Sequence, residues 1–158
     1  MSDGLVIIPT YNEKENIEKI IRSIFSLETI FDILIIDDGS PDGTADIVKG
    51  LQKEFAEKLY IEERSGKLGL GTAYIHGFKW ALNKDYKYIF EMDADFSHNP
   101  DDLIRLYNTN AIEGGDLAIG SRYVKGVNIV NWPMSRLLMS FFASKYVKLI
   151  TGMPVQDS

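Results

Sequence analysis

The sequence predicts an α/β fold in which a mostly parallel β-sheet carries helices on both faces. Short apolar runs alternate regularly with segments of helical spacing, as in chains built from successive strand–helix units. Several of these runs are apolar throughout, which is typical of strands buried on both faces. Polar or glycine-rich segments follow the runs, and ligands of open α/β sheets bind at the carboxyl ends of the strands.

The predicted strands are short runs rich in apolar residues, at 5–8, 33–36, 59–61, 88–92 and 117–119. Helices are predicted between them at residues 16–25, 42 to about 55, 72–82 and 100 to about 107. We expect Asn12 and Glu15 to form a capping box before the first helix. Asp42 is expected to cap the second helix, and Pro100 to begin the fourth.

The regular alternation stops after Tyr123. Residues 136–150 are apolar almost all round a helix, with one narrow polar stripe formed by Ser140, Ser144, Lys145 and Lys148. One interpretation is a helix packed against the core. The other is a helix that contacts a lipid surface or a further part of the protein, and the two are compatible.

Composition limits the class of protein. With 158 residues and 45% apolar content, the chain can bury one ordinary core, so a single domain spanning residues 1–158 is expected. The lack of cysteine excludes disulfides, thiolate nucleophiles and zinc–thiolate sites. A net charge of −6 argues against nucleic acid as a partner. The start has no basic leader and no run is long enough to cross a bilayer, which predicts a cytoplasmic location.

The strongest chemical signal is the pair Asp93 and Asp95, which directly follows the predicted strand at 88–92. Residues two apart in an extended chain face the same side, so both carboxylates can reach one hard cation. Through that cation they can hold the oxygens of a diphosphate. A lone Asp-x-Asp also occurs in ordinary turns, so the metal-binding interpretation depends also on the residues at the other strand ends.

The first two strands also end in polar residues. Tyr11 and Glu13 are suited to stacking on a base and to binding a ribose hydroxyl or base amide. Asp37 and Asp38 are adjacent carboxylates that repel one another, and a ligand that donates a hydrogen bond to one of them explains the pair most easily.

The segment from Arg64 to Tyr74, RSGKLGLGTAY, places glycines before a helix, where backbone can approach an anionic ligand. It is neither a Walker A loop nor a G-x-G-x-x-G fingerprint. Lys67 is either a phosphate contact or a solvated loop charge.

Arg122 and Arg136 suit bidentate phosphate binding, although either can equally be a surface ion pair. His98 is interpreted as a loop residue. With only two histidines, a Ser-His-Asp triad and a histidine metal cluster are both excluded.

Taken together, these motifs resemble those of family 2 glycosyltransferases of the GT-A type, and specifically those of dolichol-phosphate or polyprenol-phosphate mannosyltransferases. The segments PTYNE, DDGSPDGT, GKLGLGTAY, MDADFSHNP and GSRYV occur in the family's order and spacing. The resemblance runs from Leu5 to the end of the chain. It implies a GT-A fold with a Rossmann-like sheet, and transfer of mannose from GDP-mannose to dolichyl or polyprenyl phosphate with inversion.

The resemblance also implies roles for individual residues. Tyr11, Glu13 and Asp38 would hold the guanosine, and Asp93 and Asp95 would bind Mg²⁺ or Mn²⁺ on the diphosphate. Ser97 stands where some relatives have a metal-shell Gln. The complete set implied for nucleotide-sugar binding is Pro9, Tyr11, Glu13, Asp38, Asp93, Ala94 and Asp95.

The catalytic set implied by the same resemblance is Asp95, Arg122 and Arg136, with both arginines on the acceptor phosphate. Members of the family continue past the point at which this chain stops, at Asp157-Ser158, which implies a catalytic domain truncated at its C-terminus. The complete protein is then expected at the cytoplasmic membrane face, where its lipid acceptor lies.

Two alternatives stay open. The same machinery can use another donor, such as UDP-glucose in polyprenyl-phosphate glucosyltransferases. A non-catalytic nucleotide-binding α/β module, similar to a response regulator in its early acidic pair, is the alternative of a different class. That module leaves GKLGLGTAY and the Asp-Ala-Asp sequence unexplained.

Overall fold

The structure is a computed structural model that describes residues 2–120 and 134–152, with side chains in the second range described for 138–140 and 142–152. The chain divides into two compact units, Met1–Ala118 and Ile119–Ser158. The prediction that residues 1–158 act as one catalytic domain stays a prediction.

The first unit is built on a four-stranded parallel sheet of order β3-β2-β1-β4. Its strands are β1 (Gly4–Thr10), β2 (Phe31–Asp37), β3 (Leu59–Glu63) and β4 (Tyr88–Glu91). Its helices are α1 (Ile17–Phe25), α2 (Thr44–Leu51), α3 (Leu70–Ala81) and α4 (Asp102–Ala111). Each of these strands was predicted from its apolar run, and each helix lies within a few residues of its predicted place.

Alternate side chains of the strands form two cores on opposite faces of the sheet. From β1, Val6 and Ile8 pack with residues of α1, α2 and α4, whereas Leu5 and Ile7 pack with α3. All seven residues of β2 are buried, and the centre of the strand, residues 33–36, is the unbroken apolar run from which it was predicted. The predicted arrangement of helices on both faces is therefore confirmed.

Close packing of α3 on the sheet depends on Gly77. A Cβ atom at this position would lie 2.7 Å from a methyl carbon of Ile7, so a larger residue would push the helix away from β1. The first residue of α3, Leu70, follows the glycine-rich loop. The close contact between Gly77 and Ile7 therefore sets the position of the glycine-rich loop relative to the strand ends.

The predicted fifth strand at 117–119 is wrong. These residues have no strand conformation, and the side chains of Leu117 and Ile119 are exposed. A strand needs a neighbour for its backbone hydrogen bonds, and no described strand pairs with this run or with the outer edge of β4. An apolar run of three residues is therefore not sufficient by itself to form a strand.

In the second unit, the structure describes one long helix, α5 (Met134–Thr151), as the helical pattern predicted for residues 136–150. Several of its apolar side chains are exposed: Leu138, Met139, Phe142, Tyr146, Leu149 and Ile150. Over the part of the chain that is described, none of the helices combines the length and the apolar character needed to cross a membrane.

Candidate active site

A cleft of about 270 Å³ lies at the carboxyl ends of β1, β2 and β4. Its walls also include the glycine-rich loop and the start of α3. The lining residues are Pro9, Thr10, Tyr11, Glu13, Asp38, Lys67, Gly69, Leu70, Ala73, Asp93, Ala94 and Asp95. Every residue predicted to bind the nucleotide sugar lies in this set, although the residues come from segments far apart in sequence.

Asp93 enters the cleft just beyond β4 and is held by Tyr74 of α3. The Tyr74 hydroxyl donates a hydrogen bond of 3.1 Å to Oδ1 of Asp93. Burial, and after it the nearby carboxylate of Asp93, raises the pKa of the Tyr74 hydroxyl above its usual value. The phenol therefore remains a donor at neutral pH and fixes one oxygen of Asp93.

Asp95 is the more exposed of the two carboxylates and is held by the turn that follows it. The backbone N–H of Ser97 donates to Oδ1 of Asp95 at 2.9 Å. Hydrogen bonds from the hydroxyl and backbone of Ser97 lower the pKa of Asp95 below its usual value, so it is ionised at neutral pH. Between Asp95 and Ser97, Phe96 has a φ of 60°, an uncommon angle for a residue with a Cβ.

The chemistry of this donor set suits a hard divalent cation. Among the described residues no group of three or more His, Cys, Asp or Glu side chains could hold a metal by itself. Mg²⁺ is commonly bound by one or two carboxylates together with substrate phosphates and water, and does not need an all-protein cage. Asp93 and Asp95 fit that kind of site, in which the ligand completes the coordination shell.

Asp37 and Asp38 are both buried, but only Asp38 borders the cleft. Asp37 is buried at the end of β2, where its carboxylate accepts hydrogen bonds from the Thr10 hydroxyl at 2.8 Å and from the hydroxyl and N–H of Ser40 at 2.6 and 2.8 Å. Asp38 lines the cleft instead. Internal hydrogen bonds thus account for Asp37, and Asp38 is the one of the two carboxylates that lies in the cleft wall.

Arg64 is the main partner of Asp38 and was missed by the sequence analysis. Its Nε donates to Oδ1 of Asp38 at 2.6 Å, and only 7% and 8% of the two side chains are exposed. The same guanidinium donates to Oγ1 of Thr72 at 2.8 Å and to the carbonyl of Gly69 at 3.3 Å. One cation therefore links the end of β2 to the glycine-rich loop.

The N–H of Leu68 completes this link by donating to Oδ2 of Asp38 at 3.1 Å. Two signals in the sequence could have identified Arg64. A carboxylate buried after a strand needs a cation or several N–H donors. Arg64 is also the residue that follows β3, whose neighbour in the sheet is β2.

Tyr11 and Lys67 contact one another across the mouth of the cleft. The Lys67 ammonium lies 4.7 Å from the centre of the Tyr11 ring, a cation–π geometry. Both side chains are exposed, so a planar group of a ligand can replace the ammonium on the ring face. Lys67 is the one cationic side chain among the described residues that line the cleft.

The predicted capping box of Asn12 and Glu15 is wrong. Helix α1 begins only at Ile17, with Asn16 at the N-cap position, and Asn12 adopts a left-handed φ of 61°. Asn tolerates this conformation better than most residues. The backbone N–H of Asn12 is bonded instead to the hydroxyl of Ser40, which belongs to the loop after β2. Helix capping therefore leaves the shape of this loop unexplained.

The cap predicted for the second helix is present in a modified form. Asp42 accepts a hydrogen bond of 3.0 Å from the N–H of Thr44, the first residue of α2, while Gly43 occupies the N-cap position. Helix α2 then ends at Leu51 and not near residue 55. Pro100 likewise precedes α4 by two residues.

The remaining predicted site residues lie elsewhere. Ser97 contacts Asp95 but is not part of the cleft lining. The ring nitrogen Nδ1 of His98 accepts the N–H of Asp93 at 3.3 Å, which is compatible with its interpretation as a loop residue. Arg122 lies outside the described residues, and so does the side chain of Arg136 in α5.

Comparison with known proteins gives a consistent result. The family model described as "Glycosyl transferase family 2" matches residues 5–156. A polyprenol monophosphomannose synthase of Mycolicibacterium smegmatis is 44% identical over 154 residues, which cover 97% of this chain and 57% of that protein. An undecaprenyl-phosphate mannosyltransferase of Micrococcus luteus is 42% identical over 153 residues, covering 97% and 62%.

The fold also has a counterpart among solved structures. The crystal structure of residues 1–349 of TarS from S. aureus superimposes with a TM-score of 0.55 at 21% identity, over 66% of this chain and 30% of that one. At this level of identity the likeness concerns the fold alone. The predicted GT-A fold is confirmed, and this chain spans about 60% of the length of the relatives it matches.

The match over nearly the whole chain assigns it to a family: this protein belongs to glycosyl transferase family 2.

Proposed function

We propose that this member of glycosyl transferase family 2 transfers mannose from GDP-mannose to a polyprenyl or dolichyl phosphate, with inversion at the sugar. The observation that carries the proposal is the cleft, which brings Tyr11, Glu13 and Asp38 together with Asp93 and Asp95. Two relatives support the choice of sugar and acceptor. The one at 44% identity is named a polyprenol monophosphomannose synthase, and the one at 42% identity an undecaprenyl-phosphate mannosyltransferase.

The nucleotide is proposed to bind at the ends of β1 and β2. The ring of Tyr11 offers a face for the base, and Glu13 and Asp38 offer carboxylates for the N–H and hydroxyl groups of guanosine. Arg64 already holds Oδ1 of Asp38, which orients the carboxylate before the ligand arrives. Preorganised acceptors of this kind reduce the entropy lost on binding.

A divalent cation, Mg²⁺ or Mn²⁺, is proposed to be held by Asp93 and Asp95 together with the diphosphate, with Ser97 as a further candidate ligand. When bound, it supplies positive charge that stabilises the departing nucleoside diphosphate. The protein's own part is to orient both carboxylates. Tyr74 orients Asp93 by a hydrogen bond, and Ser97 both orients Asp95 and lowers its pKa.

The acceptor phosphate is proposed to contact Arg122 and Arg136, because guanidinium groups bind phosphate in a bidentate manner. A phosphate monoester has a second pKa of about 6 and is largely ionised at neutral pH. Such a nucleophile needs no general base to remove a proton, which agrees with a cleft lining that contains carboxylates and a lysine but no histidine among the described residues. The lipid acceptor places the reaction at a membrane surface.

A donor screen tests this proposal. Thermal unfolding of the chain is measured with Mn²⁺ and GDP, GDP-mannose, UDP or UDP-glucose, followed by transfer assays with a short polyprenyl phosphate. We expect GDP and GDP-mannose to raise the midpoint by mass action and the uridine nucleotides to leave it unchanged.

Two other outcomes contradict the proposal. Stabilisation by UDP-glucose alone would favour a glucosyltransferase. Nucleotide binding that is independent of metal, without sugar transfer by any longer form of the protein, would favour a non-catalytic binding module.

A further inference from the structure

The loop between β1 and α1 is held by three backbone-to-side-chain hydrogen bonds to the segment that leads from β2 into the start of α2. The backbone N–H of Asn12 donates to Oγ of Ser40, that of Glu13 to Oγ1 of Thr44, and that of Lys14 to Oδ2 of Asp42, each at 3.0 Å. Three successive N–H groups are thus bonded to side chains about 30 residues further along the chain.

The acceptor hydroxyls are themselves fixed in orientation. The Ser40 hydroxyl donates to the buried carboxylate of Asp37 at 2.6 Å, so its lone pairs are turned towards Asn12. The Thr44 hydroxyl donates to Oδ1 of Asp42 at 2.6 Å and is fully buried. Because each hydroxyl uses its only proton on a carboxylate, it can act towards the loop only as an acceptor.

The fastened segment carries two residues of the cleft. Tyr11 and Glu13 lie on either side of Asn12, whose left-handed conformation turns the chain between them. A φ of 61° is uncommon outside glycine and persists where surrounding contacts determine it. The hydrogen bonds to Ser40 and Thr44 act at this turn and at the next residue.

We propose that Ser40 and Thr44 are positioning residues for nucleotide binding, which hold the backbone of Asn12 and Glu13 so that the Tyr11 and Glu13 side chains face the cleft. This inference rests on the proposed function, since it takes the cleft as the nucleotide site. It also connects two motifs that are separate in sequence, PTYNE and DDGSPDGT: the second motif holds the backbone of the first in place.

A purely structural role for the hydroxyls makes different predictions. In that case Ser40 would serve only the turn after β2 and Thr44 only the start of α2, and their loss would lower stability without altering the cleft. Variants at Thr44 separate the two roles. Thr44→Val keeps the volume of the side chain but removes the acceptor, whereas Thr44→Ser keeps the acceptor and removes a buried methyl group.

Binding of GDP with Mn²⁺ to the 158-residue chain is measured by calorimetry at a temperature at which every variant is folded. We expect Thr44→Val and Ser40→Ala each to weaken binding about fivefold, the effect of one net hydrogen bond. Thr44→Ser should restore affinity to within about twofold of the unaltered chain. Ser26→Ala is the control for Ser40→Ala, because the Ser26 hydroxyl donates to the carbonyl of Ser23 at the end of α1, away from the cleft.

A triple variant, compared with its parent double variant, tests whether the Thr44 hydroxyl acts through the side chains of Tyr11 and Glu13. If Thr44 positions Tyr11 and Glu13, Thr44→Val should cost much less affinity once Tyr11→Ala and Glu13→Gln are already present. An undiminished cost in that background would overturn the proposal, and so would a Thr44→Ser variant that binds as weakly as Thr44→Val.

Amide hydrogen exchange of the ligand-free chain provides a measurement that does not depend on the proposed function. Thr44→Val should speed exchange at the Glu13 amide, and Ser40→Ala at the Asn12 amide, while core amides of β1 keep their protection. Unchanged exchange at both amides would overturn the positioning role. If the unaltered chain binds no GDP, the proposed function fails and exchange alone decides whether these hydroxyls hold the loop.

Discussion

Arg64→Met is the substitution for which the structure predicts the largest loss of stability at the site. It removes the cation that pairs with Asp38, together with the hydrogen bonds to Thr72 and to the carbonyl of Gly69. Met has a similar unbranched stem, so the packing of the aliphatic part is largely kept. The main consequence is a carboxylate in a buried position without its counter-ion.

The magnitude follows from the burial of this pair, whose side chains are only 7% and 8% exposed. Removing one partner of a buried ion pair costs about 3–5 kcal/mol of unfolding free energy. The lower value is expected here, because the N–H of Leu68 still donates to Asp38 and water can reach it from the cleft. With a urea m-value of about 2 kcal/mol/M, a loss of about 3 kcal/mol lowers the midpoint by about 1.5 M.

Urea unfolding followed by circular dichroism measures this change, and Arg22→Met is the matched control. Arg22 pairs with two carboxylates, Glu18 and Glu54, but its side chain is 45% exposed, so we expect little change in the midpoint. Adding Asp38→Asn to Arg64→Met should recover part of the loss, because no buried charge then remains. Equal midpoints for Arg64→Met and Arg22→Met would refute the reasoning.

Three further predictions concern binding and transfer. Asp95→Asn should abolish Mn²⁺-dependent GDP binding while circular dichroism shows an intact fold; unchanged metal-dependent affinity in calorimetry would contradict the assignment. Tyr74→Phe removes the hydrogen bond to Asp93 and should weaken Mn²⁺-dependent binding by about tenfold in the same titration, whereas an unaltered Kd would show that Asp93 needs no such support. Arg→Lys at Arg122 or Arg136 should reduce acceptor use in a transfer assay by one to two decades, equivalent to about 1.5–3 kcal/mol, and spare donor binding. Normal acceptor use with a much lower melting temperature would indicate a structural ion pair at these arginines.

The strands could be predicted from the sequence where burial alone decides the structure. β1 and β2 each contain a continuous apolar run, at 5–8 and 33–36, and have neighbours on both sides in the sheet, and both were located from composition. The run at 117–119 is also apolar, yet it has no strand beside it among the described residues. Hydrophobicity predicts that a segment is suited to a strand, but a partner for its backbone hydrogen bonds decides whether a strand forms.

The failure of the capping box has a similar physical origin. Asn12 and Glu15 have the residue types of a local cap, and local preferences favour one. The hydroxyl of Ser40 binds the N–H of Asn12 instead, from the loop after β2. A contact between residues distant in sequence competes with a local pattern, and the pattern alone does not reveal which one prevails.

By itself, the sequence determined the α/β fold and the chemical inventory of the cleft, because the apolar runs specify buried strands and polar residues follow them at one edge of the sheet. The family resemblance indicated Asp38, but the physical choice between Asp37 and Asp38 for the cleft was made by the tertiary structure, as was the pairing of Asp38 with Arg64. Both outcomes depend on hydrogen bonds between segments that lie side by side only after the sheet has formed. A buried carboxylate adopts the orientation in which those neighbours satisfy its oxygens, and the neighbours are set by the fold.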